Sequence, residues 1–76
     1  MTPAQSRAGR ALVDLTQPAL AQSAGLGLST VVDFERNRRP VSATAVRAMR
    51  TALEARGVVF IDENGEGPGV RLRKSP

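Results

Sequence analysis

The 76-residue chain contains no cysteine, histidine, tryptophan or tyrosine, and its aromatic side chains are Phe34 and Phe60 alone. Without cysteine there are no disulfides and no thiol nucleophile, and without histidine as well the usual zinc sites are excluded. Ser6, Ser23, Ser29, Ser42 and Ser75 have no imidazole to act as base for a serine triad. Asp62 and Glu63 fall in a stretch of turn-forming residues, a poor place to hold a catalytic carboxylate pair. Gly65-Glu66-Gly67-Pro68-Gly69 is glycine-rich, but no Lys-Ser/Thr follows it to open a helix, so it reads as turn chemistry and not as a phosphate loop. The expectation is a protein that is not an enzyme and takes no metal or cofactor. No apolar run reaches the length of a membrane span, and the N-terminus lacks the apolar segment of a secretory signal. The cytoplasm is the expected compartment, with no membrane partner.

What the chain does have is basic charge. Eleven Lys and Arg against seven Asp and Glu leave a net +4. The first 57 residues hold eight arginines and four acids, so the excess sits in that part of the chain. A compact basic domain suits a polyanion such as DNA. One domain of this size has a small core, and with disulfides and metals excluded, self-association is the common remaining support.

Periodicity predicts four helices. Thr2 is an N-cap, Pro3 fits the first helical position, and Gln5 completes a capping box, giving helix 1 from Pro3 to about Leu15. Ala8, Ala11, Leu12 and Leu15 supply its expected apolar face. Thr16 caps helix 2, from Gln17 to Ala24, with Leu20, Ala21 and Ala24 inward, and Gly25 stops it. Helix 3 spans roughly Leu28 to Arg36, with Val31 and Phe34 inward and Asn37 as a left-handed terminator. Helix 4 runs from Ala43 to about Arg56, capped by Ser42 and ended by Gly57, with Val46, Met49 and Leu53 as its buried stripe.

Two short helices with a sharp glycine turn between them, over residues 16–36, have the layout of a helix-turn-helix, which sets its second helix into the DNA major groove. Beyond Gly57 the pattern changes to Val58-Val59-Phe60-Ile61, a turn-rich stretch, and the alternating Gly69-Val70-Arg71-Leu72-Arg73. This predicts a β-hairpin. The fold class is therefore mainly α: a helical DNA-binding domain over 1–57, then a hairpin and tail over 58–76. An isolated hairpin is barely stable. Its expected role is a contribution to a homodimer; the alternative is packing on helix 1 or helix 4 of its own chain.

Thr16-Gln17-x-x-Leu20-Ala21-x-x-Ala24-Gly25-Leu26-x-x-Ser29-Thr30-Val31-x-x-Phe34-Glu35-Arg36-Asn37 resembles the Xre family of lambda-repressor- and Cro-like helix-turn-helix regulators. The resemblance covers about Pro3 to Leu53. The trailing Val-Phe-Ile-Asp-Glu-Asn-Gly and Gly-Val-Arg-Leu-Arg look like a recurring subtype of short bacterial regulators. It implies a four-helix repressor-like domain. It also implies that Gln17 bonds a DNA phosphate and braces the recognition helix, and that Gly27, Leu28, Ser29, Val32 and Asp33 face the major groove. Arg36, Arg38 and Arg39 would lie against the DNA backbone, and Arg10 with Glu35 would form a structural pair that clasps helix 1 to the end of helix 3.

The residues themselves support parts of this. A partly buried arginine such as Arg10 is tolerable only when paired. Three guanidinium groups at Arg36, Arg38 and Arg39 repel one another unless an anion is near. Ser29 and Thr30 can bond bases or phosphates, Leu28 and Val32 can only meet thymine methyls, and Asp33 can accept from a cytosine amino group. Gly27 stands where the family usually has a capping serine. An apolar pair at Leu28 and Val32 leaves a second reading open, in which helix 3 binds a protein partner, as an antiactivator or antitoxin would.

Overall fold

Thr2 begins the first helix as the residues require: its hydroxyl accepts from the Gln5 N–H at 3.1 Å, and the Gln5 side chain accepts from the Thr2 N–H at 2.8 Å. In a computed structural model, the described residues 1–74 form α1 (Pro3–Leu12), α2 (Gln17–Ala24), α3 (Leu28–Glu35), α4 (Ala43–Ala55), β1 (Val58–Ile61) and β2 (Gly69–Leu72). Ser75 and Pro76, the end of the expected tail, lie outside the described residues. The protein is mainly helical, with a two-stranded antiparallel hairpin at its C-terminal end. Among the described residues no helix is long and apolar enough to cross a membrane.

Each helix ends where the chain supplies a stop. Gly25 adopts the left-handed conformation at φ 69°, and the Leu26 N–H returns to the Ala21 carbonyl at 2.9 Å. That closure is a Schellman turn. Asn37, at φ 54°, follows α3, and Gly57, at φ 104°, follows α4.

The core gathers Leu20, Val31, Met49 and Leu53, all fully buried, with Leu15, Ala21, Val58 and Phe60 around them. Fully burying one such side chain stabilises by roughly 1.5–3 kcal/mol. Val46 and Phe34, expected inside, are half-buried at the edge of this cluster.

Helix α1 departs from the expectation in two ways. It ends at Leu12, because Asp14 turns left-handed at φ 55° and the Leu15 N–H closes onto the Arg10 carbonyl at 2.9 Å. Its inward face is also a different one. Ala8, Ala11 and Leu12 are exposed, whereas Gln5, Ser6 and Gly9 are buried; of the expected stripe Leu15 alone joins the core. The reason is proximity. A Cβ on Gly9 would stand 3.4 Å from Val58 Cγ1 and 3.5 Å from Leu53 Cδ1, so α1 crosses β1 and α4 too closely for large side chains. Polar groups at Gln5 and Ser6 are accepted there because both are hydrogen-bonded.

The hairpin pairs Val58 with Leu72, Val59 with Arg71, Phe60 with Val70 and Ile61 with Gly69. Its apolar face lies on its own chain, with β2 against α1 and β1 against α4. Gln5 Nε2 ties it down, donating to the Ile61 carbonyl at 3.2 Å and the Gly69 carbonyl at 2.9 Å. Val58 and Phe60 thus belong to the same core as the helices. Of the two arrangements the sequence left open, packing on the parent chain is the one that shelters this face. Leu72 stays outside, 52% exposed.

Candidate nucleic-acid interface

The candidate surface is the outer side of α3 with the loop that follows it. Its orientation is set by one buried carboxylate. Glu35, the last residue of α3, is 1% exposed and accepts hydrogen bonds from three other parts of the chain. Arg10 Nη2 reaches Oε1 at 2.7 Å, and Arg10 Nε lies 2.9 Å from Oε2. Ser6 Oγ donates to Oε2 at 2.5 Å, and Gln17 Nε2 donates to Oε1 at 3.0 Å. Arg10 also donates through Nη1 to the Leu15 carbonyl at 3.1 Å, and Arg7 donates to the Glu35 carbonyl.

These bonds join α1, the start of α2 and the end of α3 at a single point. Burial pushes the Glu35 carboxyl up, but the hydrogen bonds from Arg10, Ser6 and Gln17, with the Arg10 charge, outweigh it and hold the group below its ordinary value. No buried side-chain polar atom among the described residues lacks a partner. A fully satisfied network of this kind specifies one arrangement of the helices it joins.

Gln17 is half-buried and directed to Glu35, so its amide braces α3 within the chain. Gly27 caps α3 by backbone alone, its carbonyl accepting from the Thr30 N–H at 3.1 Å, with no side-chain bond. Leu28 is 46% exposed and Ser29 is exposed, while Thr30, Val32 and Asp33 are half-buried. The apolar strip expected from Leu28 and Val32 is therefore mostly Leu28.

Arg36, Arg38 and Arg39 are all exposed. They are not equivalent. Arg39 Nε donates to Asp33 Oδ2 at 2.7 Å, so the anion beside this arginine is supplied by the chain itself. Arg36 and Arg38 make no side-chain hydrogen bond within the described residues.

Sequence reasoning missed Ser6 and Arg7 in the Glu35 network and the Asp33–Arg39 pair. Ser6 had a signal, since it lies one helical turn before Arg10 and on the same face of α1. Arg39 had none, because the six residues from Asp33 to Arg39 cross a helix end and a loop, where no periodicity applies. Compared with known proteins, the chain matches no family model and no curated protein.

Proposed function

We propose that the protein is a sequence-specific DNA-binding transcriptional regulator of the repressor-like helix-turn-helix kind, working in the cytoplasm. The observation that carries this reading is the placement of α3. Its Leu28-Ser29 side is exposed, its other side is locked by Glu35, and Arg36 and Arg38 stand exposed at its end with no side-chain hydrogen bond within the described residues. A helix held rigidly with a basic flank is what major-groove docking requires. Arg36 and Arg38 supply phosphate contacts, and Ser29 and Thr30 hydrogen-bonding groups for bases or backbone. Gln17 keeps a second amide N–H for a phosphate while its first braces Glu35. Two copies on a pseudo-palindrome would set their α3 helices roughly 34 Å apart, one DNA turn. Repression by covering a promoter is the simplest outcome.

One observation favours a second reading. Leu28, at 46% exposure, is a large apolar side chain at the centre of the surface, which suits a protein partner and would make the chain an antiactivator or antitoxin.

Fluorescence-anisotropy binding to the promoter region of the protein's own gene, with random duplex as competitor and at two salt concentrations, separates the two. Binding that survives competitor and weakens with salt supports the regulator. Weak binding erased by competitor overturns it and directs the search to a protein bound through Leu28.

A further inference from the structure

Asp33 stands on the outward side of α3, where a bare carboxylate would repel DNA. It is not bare. Its side chain is 19% exposed, and the Arg39 side chain, itself 52% exposed, is bonded to it. The surface at this point presents nitrogen donors beside the carboxylate and not a carboxylate alone.

The way the two are joined decides what those donors can do. Asp33 Oδ2 takes the Nε–H of Arg39 at 2.7 Å. The remaining bond of the guanidinium is a long one, from Nη1 to the Pro40 carbonyl at 3.4 Å. Nη2 makes no hydrogen bond within the described residues, so the Nη end of the fork is left available. An arginine held by its Nε is fixed in plane and direction, so it loses less freedom when the fork engages a ligand. In the major groove, guanine presents two adjacent acceptors, O6 and N7, that match the fork.

We propose that Arg39, braced by Asp33, is a specificity-determining residue that reads a guanine in the major groove. The proposal rests on the DNA-binding reading above. A phosphate role is the obvious competitor and fits less well. A carboxylate 2.7 Å away offsets the charge on which a phosphate contact depends, whereas Arg36 and Arg38 have no such neighbour among the described residues. Asp33 Oδ1 makes no hydrogen bond within the described residues, so it can accept from a cytosine amino group beside that guanine. From the sequence, Asp33 has a cytosine to accept from; its pairing with Arg39 adds the support of a neighbouring donor.

The test is selection of preferred duplexes from a random pool by the full chain, followed by anisotropy on the selected site. The wild type should select an invariant guanine in each half-site. Replacing that guanine by its 7-deaza analogue, which lacks the N7 acceptor but keeps O6, should weaken binding by roughly 2- to 12-fold, about half in energy of the range of one bidentate pair. Arg39→Met keeps the length and loses every donor, so it should bind the guanine and deaza-guanine sites equally, with a salt slope unchanged because the contact is to a base and not a phosphate. Asp33→Ala should relax the preference for guanine without weakening binding to random duplex. Circular dichroism checks that these exposed variants fold. The proposal is overturned if Arg39→Met still discriminates the guanine, or if Arg39→Ala weakens all duplexes equally and lowers the salt slope by about one. A wild type that selects no sequence at all overturns the DNA-binding reading itself, and the Arg39 assignment with it.

Discussion

Replacing Glu35 by glutamine preserves shape and removes one charge. The consequence follows from the surroundings of that charge. The Glu35 side chain is fully buried, and the Arg10 side chain is 19% exposed. Removing the anion leaves a guanidinium largely out of water with no counter-charge. Breaking a buried pair in this way costs about 3–5 kcal/mol. A single core of this size supplies a net stability of only about 3–5 kcal/mol, so the variant should sit close to its unfolding midpoint at room temperature. The assay is urea denaturation with linear extrapolation, at pH 7 and at falling pH.

The sign of the pH dependence is set by Glu35 itself. Its folded-state carboxyl titrates below the ordinary value of 4.5 that it recovers on unfolding. Its contribution is therefore present above that value and is lost as pH falls through the folded-state value. The gap between wild type and Glu35→Gln should close over that acid range, because the wild-type residue then becomes neutral too. A double variant, Arg10→Met with Glu35→Leu, should recover only part of the loss. The unneeded ion pair is gone, but Ser6 Oγ and Gln17 Nε2 lose their acceptor, at about 1–3 kcal/mol for each group that stays buried. A Glu35→Gln variant within about 0.5 kcal/mol of wild type, the range of an ordinary surface change, would refute the reasoning. So would a gap that stays constant through the acid range.

Four further outcomes are expected. Gln5→Leu should lower stability by about 1–3 kcal/mol, because the Ile61 and Gly69 carbonyls lose the donor that ties the hairpin to α1; thermal melting reads this. Gly27→Ser should raise the melting temperature by about 1–2 °C, since φ −71° suits any residue, a Cβ there meets only Ser29 Oγ at an ordinary 3.9 Å, and a capping hydroxyl in place of glycine contributes a few tenths of a kcal/mol. Arg36→Ala with Arg38→Ala should reduce the slope of log affinity against log salt by about 1.8, or about 0.9 for each phosphate released, in anisotropy titrations. Leu72→Asp should leave the fold intact, because the side chain is 52% exposed; light scattering then shows monomers if the β2 edge joins two copies, and an unchanged dimer places that contact elsewhere. Phe60 cannot serve this purpose, since it is part of the core and its replacement by a charge would unfold the chain.

Local signals fixed by a few residues were legible in the chain. Thr2 with Gln5, Thr16, Ser42, Gly25, Asn37 and Gly57 mark helix ends through their own side chains or their tolerance of positive φ, and these act over four or five residues whatever surrounds them. The helix count, the hairpin and the buried stripe of α4 follow from them and from simple periodicity. The inward face of α1 was not legible. Ala8, Ala11 and Leu12 look like a core stripe by hydropathy, yet the close approach of Val58 and Leu53 to Gly9 turned the helix so that small and polar residues face inward. Propensity and pattern describe one element at a time, and this choice was made by what packs against it.

The same division runs through the candidate surface. Charge, the glycine turn and the short helices are properties of the sequence, and they alone mark residues 16–39 as the stretch to examine. Which arginine stands alone and which is held by an acid is a property of the tertiary structure. Among the described residues Arg36 and Arg38 are exposed without a partner, while Arg39 lies on Asp33 at 2.7 Å. Ion pairs depend on distances of a few ångströms between groups that the chain order does not bring together, whereas caps and turns depend on neighbours it cannot separate.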